Sequence, residues 1–239
     1  MKKLGVIGGL GPMATAFFMQ MVIEMTEAKT DQEHIEMLIH NCPAIPDRTS
    51  YILGKSDVSP KPQIIEVGQK ISAYGVDVIA IPCVTANYFY EDLQKEIEAP
   101  IIDIIGETVK HLVDADVRCV GIMATDGTIQ CGIFQRALEA AGITVVTPDE
   151  VGQAHVMHLI YQNVKATKPA EMDRFAAVSE ELRKKGADVI ILGCTELSMI
   201  RRDETIGAGY LDAMQVLAKV SVEQCGCLKE EYKELITKE

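Results

Sequence analysis

Basic side chains are scarce in this 239-residue sequence: 23 Lys and Arg stand against 35 Asp and Glu, a formal net charge of −12 at pH 7. That deficit opposes nonspecific attraction to nucleic-acid phosphates and anionic lipid, so neither a nucleic acid nor a membrane is expected as a partner. Cysteine is also thin. Seven residues, an odd number, fall far below disulfide-scaffold density and point to reduced thiols in a cytoplasmic protein. Long unbroken apolar runs are missing too. The stretch from Leu4 to Ile23 is uncharged, but Gly5, Gly8, Gly9, Gly11 and Pro12 break any continuous apolar helix or signal-peptide core. It reads instead as a strand, a tight loop and a helix over Met13–Glu27. What is present, 48% hydrophobic and 24% charged residues, suffices for one large or two modest globular units.

Short β-branched apolar runs alternate with amphipathic segments along almost the whole chain, the pattern of an α/β protein with parallel strands. Strands are expected at Leu4–Gly8, Ile35–His40, Val76–Pro82, Cys119–Ala124, Thr144–Thr147 and Asp188–Gly193, with helices such as Lys61–Tyr74 and Ala170–Lys185 between them. The sequence also matches itself. Gly75-Val76-Asp77-Val78-Ile79-Ala80-Ile81-Pro82-Cys83 aligns with Gly186-Ala187-Asp188-Val189-Ile190-Ile191-Leu192-Gly193-Cys194, and Leu4–Gly8 parallels Val120–Ala124. The two offsets, 111 and 116, are nearly equal. The pattern implies two similar α/β domains, 1–99 plus 207–239 and 100–206, related by a pseudo-two-fold axis, with the active site in the cleft between them. The tail Lys229–Glu239 reads as a solvated helix end.

In open parallel sheets ligands bind beyond the carboxyl ends of the strands, where both Cys83 and Cys194 fall. Each closes a strand and opens a helix, a setting in which free backbone N–H groups favour a thiolate. Two thiols on opposite walls of one cleft suit proton transfer on and off either face of a bound carbon. The other cysteines lack this setting: Cys42, Cys119 and Cys131 read as core or loop thiols, and Cys225-x-Cys227 is too short and isolated for zinc. His155 and His158 lie three apart without the glutamate of a zinc-protease pattern, so no metal is expected. Gly9-Leu10-Gly11-Pro12-Met13-Ala14 fits a loose dinucleotide pattern and leaves a nucleotide enzyme as an alternative, although Pro12 removes an N–H and no acidic residue ends the second strand. Arg48, after the second strand, and Lys165 are candidate cations for an anionic ligand.

Taken together, Gly8–Thr15, Pro46-Asp47-Arg48-Thr49, Pro82-Cys83 and Leu192-Gly193-Cys194-Thr195-Glu196 resemble the aspartate/glutamate racemase family over essentially the whole chain. The resemblance implies two similar α/β domains, a homodimer, and inversion of a small carboxylate-bearing amino acid without cofactor or metal. It also implies that one cysteine thiolate removes the α-proton while the opposite thiol protonates the other face, with Cys83 acting on the D- and Cys194 on the L-enantiomer. Thr85, Thr125, Thr195 and loop amides near Leu10 match positions that stabilise developing charge, and Arg48 and Lys165 match cations that hold a distal carboxylate.

One departure concerns the substrate. The family carries Cys-Asn-Thr-Ala-His where this chain has Cys83-Val84-Thr85-Ala86-Asn87. Val84 cannot make the hydrogen bonds of an asparagine, which leaves Asn87 as a replacement donor in the site. The preferred reading is a racemase of aspartate or a similar acidic amino acid. The alternatives are a hydantoin racemase, a maleate isomerase, a noncatalytic small-anion-binding protein and, more weakly, a cysteine redox sensor.

Overall fold

The computed structural model describes residues 2–238. Seven strands lie among them: β1 (Leu4–Gly8), β2 (Met37–Asn41), β3 (Val78–Ala80), β4 (Cys119–Met123), β5 (Thr144–Val146), β6 (Val189–Leu192) and β7 (Tyr210–Asp212). The helices are α1 (Pro12–Met25), α2 (Arg48–Ile52), α3 (Lys61–Ala73), α4 (Tyr90–Glu96), α5 (Ile104–Asp114), α6 (Asp126–Cys131), α7 (Ile133–Ala140), α8 (Glu150–His158), α9 (Met172–Lys184), α10 (Thr195–Asp203) and α11 (Ala213–Cys225). A π-helical turn, Leu159–Val164, continues α8. No described helix is long and apolar enough to cross a membrane.

The strands form two all-parallel sheets, ordered β2-β1-β3 and β5-β4-β6-β7. In each, the first strand of the half sits at the centre, its successor on one side and the cysteine-terminated strand on the other. The likeness extends to the fourth position, because β3 is flanked by a single parallel bridge, Ile79 to Ile101, where β6 is flanked by β7. Strand faces alternate with the period of two. Leu4, Val6, Val78, Ala80, Val120, Ile122, Val189 and Ile191 turn into one continuous core shared with α1, α5 and α11. Ile7, Ile79 and Ile81 turn the other way beneath α3 and α4, and Met123, Ile190 and Leu192 beneath α8 to α10. Both faces of β1, β3, β4 and β6 are therefore buried, which is why these strands read as unbroken apolar runs. At ~1.5–3 kcal/mol per buried aliphatic side chain, the shared core is a major stabilising contact between the two sheets.

Two expectations about the C-terminal segment need correction. Tyr210–Asp212 does not belong with the first sheet; it pairs with β6 in the second, and α11 then packs on α1 and α5. Nor is the tail a solvated helix end. Beyond a single turn at Glu230–Tyr232 it runs as a strap, with Leu235 3% exposed and the Thr237 N–H donating to the Tyr210 carbonyl. Burying Leu235 and satisfying the free edge of β7 favour this path over a solvated helix. Glu239 lies outside the described residues.

Candidate active site

Helix starts deliver most of the site. Asp47 caps α2 by accepting the Ser50 N–H at 2.7 Å, which places Arg48 in the first turn. Thr125 caps α6 through the Thr128 N–H. Cys83 precedes the 3-10 turn Val84–Phe89 and Cys194 precedes α10, both with extended backbone. The duplicated sequence thus becomes duplicated geometry. Gly9, with φ +91°, lets the loop after β1 approach the backbone of Cys42 and Pro43, where a Cβ would lie 2.4 Å from the Cys42 carbonyl carbon. This close approach accounts for glycine at position 9. It also brings the Leu10 carbonyl to Arg48, whose Nη2 donates to it at 2.8 Å.

The carboxyl ends of the two sheets enclose a chamber lined by Leu10, Asp47, Arg48, Thr49, Cys83, Val84, Thr85, Thr125, Lys165, Cys194, Thr195 and Glu196. Its free volume is only about 10 Å³. Outside it lies a vestibule of about 490 Å³, walled by Met13, Ile45, Val164 and Met199 among others, with Leu10, Asp47, Arg48, Lys165 and Glu196 shared between the two spaces. Of the residues singled out in the sequence, the structure brings together Cys83, Cys194, Leu10, Arg48, Thr85, Thr125, Lys165 and Thr195. It does not bring in Asn87. The Asn87 amide turns back to donate to the Cys83 carbonyl at 3.1 Å, because the 3-10 turn returns position 87 beneath position 83. Asn87 steadies the backbone of Cys83 and replaces nothing that Val84 lacks.

Polar groups inside the chamber are densely paired. The Thr85, Thr125 and Thr128 hydroxyls form a triangle with sides of 3.1, 3.1 and 3.2 Å, joining the segment after β3 to that after β4. Arg48, 7% exposed, gives Nη1 to the Ile45 and Pro46 carbonyls, while its Nε is buried without a partner. Burial alone would lower the guanidinium pKa, but the neighbouring Cys83, Asp47 and Glu196 outweigh it and raise the value. Lys165 sits 4.4 Å over the Tyr161 ring centroid and 3.9 Å from Glu196 Oε1. For it too, the penalty of burial is outweighed by negative charge, foremost that of Glu196, which raises its pKa. For Asp47, the penalty of burial is overcome by bonds from Ser50 and by Lys165 and Arg48, which hold its carboxyl below the usual range.

Cys194 departs from the expectation of a thiolate favoured by a helix N-terminus. Its Sγ–H donates to Glu196 Oε2 at 2.9 Å, and Thr195 Oγ1 donates to the same oxygen at 3.2 Å. Burial first, and then the charge of Glu196, push the thiol well above its ordinary pKa against the pull of Lys165. Glu196, at the end of Gly-Cys-Thr-Glu, Thr128 and Tyr161 belong to the site although the sequence assigns them no role. The available signals were Thr128's place three residues after the Thr125 cap and Tyr161's place one helical turn before Lys165. Elsewhere, His158 pairs with Glu171 at 2.7 Å, and no cluster of potential metal ligands occurs among the described residues.

Comparison with known proteins identifies the family. The Asp/Glu/hydantoin racemase family matches residues 7–220, and the chain belongs to that family. It is 30% identical over 227 residues to the broad specificity amino-acid racemase RacX of Bacillus subtilis (strain 168), covering 92% of this chain and 96% of that protein. Among solved structures, the aspartate racemase of Picrophilus torridus superimposes with a TM-score of 0.86 at 29% identity, covering 98% of this chain and 99% of the other. A glutamate racemase from Francisella tularensis in complex with D-glutamate shares the fold at TM-score 0.66 and 17% identity, over 93% and 80% of the two chains. Racemases are isomerases, and this chain is an enzyme of that class.

Proposed function

We propose that the protein racemises aspartate or a similar acidic amino acid without a cofactor, using Cys83 and Cys194 as the two bases. The observation that carries this reading is that two cysteines from equivalent strand ends line one buried chamber. One sulfur, as thiolate, takes the α-proton and the other, as thiol, supplies a proton to the opposite face; the roles exchange in the reverse direction. A thiol's ordinary pKa near 8.5 lets both forms be reached around neutrality. The α-proton is far less acidic, so the carbanionic transition state needs fixed donors in a dry site. Thr85, Thr125, Thr195 and the amides beside Leu10 serve there, and Arg48 and Lys165 hold the distal carboxylate. The free volume of the chamber accommodates about one water, so substrate entry separates its walls, with units 1–99 and 100–206 as the two jaws. The resemblance supports a homodimer, and seven free cysteines suit a reducing cytoplasm.

The apolar wall of the vestibule favours one extension of the substrate range. Met13, Ile45, Val164 and Met199 can accept the side chain of a larger amino acid that bypasses Arg48, in keeping with the broad specificity named for the Bacillus relative. Chiral chromatography of L- and D-aspartate, glutamate, methionine and leucine after incubation with the protein tests both readings, with a hydantoin and maleate alongside. Inversion of aspartate supports the first reading and inversion of the apolar pair the second. Conversion of only the hydantoin or maleate overturns the amino-acid assignment.

A further inference from the structure

The two cysteines occupy unlike surroundings, although duplication made their backbones alike. Cys83 shares the chamber wall with the Arg48 guanidinium, whereas Cys194 donates its proton to Glu196. Glu196 is 5% exposed and borders both the inner chamber and the vestibule, so one carboxylate touches the reacting sulfur and the route to solvent. We propose that Glu196 is the proton partner of Cys194: it holds that sulfur as a thiol in the resting enzyme and restores the thiol between turnovers. This deepens the racemase reading and rests on it.

In the turnover in which Cys83 is the base, its thiolate gains the α-proton and the Cys194 thiol gives its proton to the carbanion, leaving a Cys83 thiol and a Cys194 thiolate. Reset moves one proton from Cys83 to water and one from water, through the Glu196 carboxyl, to Cys194. Lys165 and Tyr161 face the Cys194–Glu196 pair from the π-helical turn and its end, Arg48 and Asp47 from the start of α2, and Cys83 from the end of β3. Lys165 opposes Glu196 in its effect on the sulfur. Because enantiomers have equal free energies, kcat/KM must be equal in the two directions at every pH. The asymmetry therefore appears in thiol reactivity and in the reset step.

Two measurements on the full-length protein test this. The first is the pH profile of Cys194 alkylation by iodoacetamide, read by peptide mass spectrometry, in wild type, Glu196→Gln and Lys165→Met. Glu196→Gln is expected to move the inflection to lower pH, with roughly tenfold faster labelling at neutrality, and Lys165→Met to move it higher. A more open site would raise labelling at all pH values without moving the inflection. Inflections that coincide in all three proteins, or move together in one direction, overturn the proposal. The second measurement is rapid-quench racemisation. With D-aspartate, Glu196→Gln is expected to slow its steady-state phase roughly tenfold or more beyond any slowing of its first turnover, so that a burst separates the two phases. Equal slowing of both phases, or of neither, overturns the reset role. Alkylation needs no turnover, so a wild type that inverts no amino acid refutes the racemase reading separately, while the labelling profiles decide the Cys194–Glu196 coupling.

Discussion

The Thr85 hydroxyl lies 3.1 Å from that of Thr125, across the line where the ends of β3 and β4 meet. Both are buried and both also reach Thr128, so the floor of the chamber is a hydroxyl triangle built from both halves of the chain. Thr85→Val removes two sides of that triangle and Thr125→Val removes two as well, with one side in common. Each single change is expected to destabilise by about 1 kcal/mol, and the double variant by less than the sum. Urea unfolding of the four proteins measures the coupling.

Arg48 ties three loop carbonyls together, those of Leu10, Ile45 and Pro46. Arg48→Ala leaves them without that donor in a buried place and is expected to cost about 2–4 kcal/mol of stability. Arg48→Lys recovers only part of this, because a single ammonium cannot reproduce the fork of the guanidinium. Thermal unfolding gives the stability, and KM for aspartate is expected to rise in both variants.

Val84 is 2% exposed and belongs to the shared apolar core while also lining the chamber. Val84→Asn places an amide at this boundary and is expected to cost about 1–3 kcal/mol. If the amide finds partners on bound substrate, KM for aspartate falls in the same variant. Steady-state kinetics beside a melting curve separates the two effects.

His111 accepts the Leu235 N–H through Nε2 at 3.3 Å, which fastens the C-terminal strap to α5. Burial, with help from Lys219, lowers its pKa below the ordinary 6.5. The unfolded chain therefore binds the proton more readily, and stability rises with pH across this window. The contribution is complete above about pH 6.5 and is lost as pH falls through the lower folded value. His111→Gln keeps an acceptor without a titrating ring. The wild-type Tm is expected to fall more steeply than the variant's on acidification.

Six of the seven strands were legible because each carries apolar residues on both faces, between breakers, over a span too short for a helix. β7 was not. Three residues after Gly207-Ala208-Gly209 hold no pattern of their own, and Tyr210–Asp212 becomes a strand only by pairing with β6 on one side and the Thr237 strap on the other. The cysteine pair was legible from spacing and self-similarity. The orientations of Asn87 and Glu196 were not, since each follows from local winding: a 3-10 turn sends the Asn87 amide to the Cys83 carbonyl, and the first turn of α10 folds the Glu196 carboxylate back onto Cys194. A carboxylate near a helix start ordinarily suggests a favourable charge facing solvent. Here burial against Lys165 and the sulfur gives it another place.

The central claim is that Cys83 and Cys194 work on opposite faces of one carbon. Its most direct test is loss of the α-proton NMR signal of L- and D-aspartate in D₂O, followed for the wild type, Cys83→Ser and Cys194→Ser. The account predicts exchange and racemisation of both enantiomers by wild type, and loss of racemisation in both variants, with any residual exchange confined to D-aspartate when only Cys83 remains and to L-aspartate when only Cys194 remains. Racemisation surviving in either variant, or residual exchange of both enantiomers by a single cysteine, would contradict it.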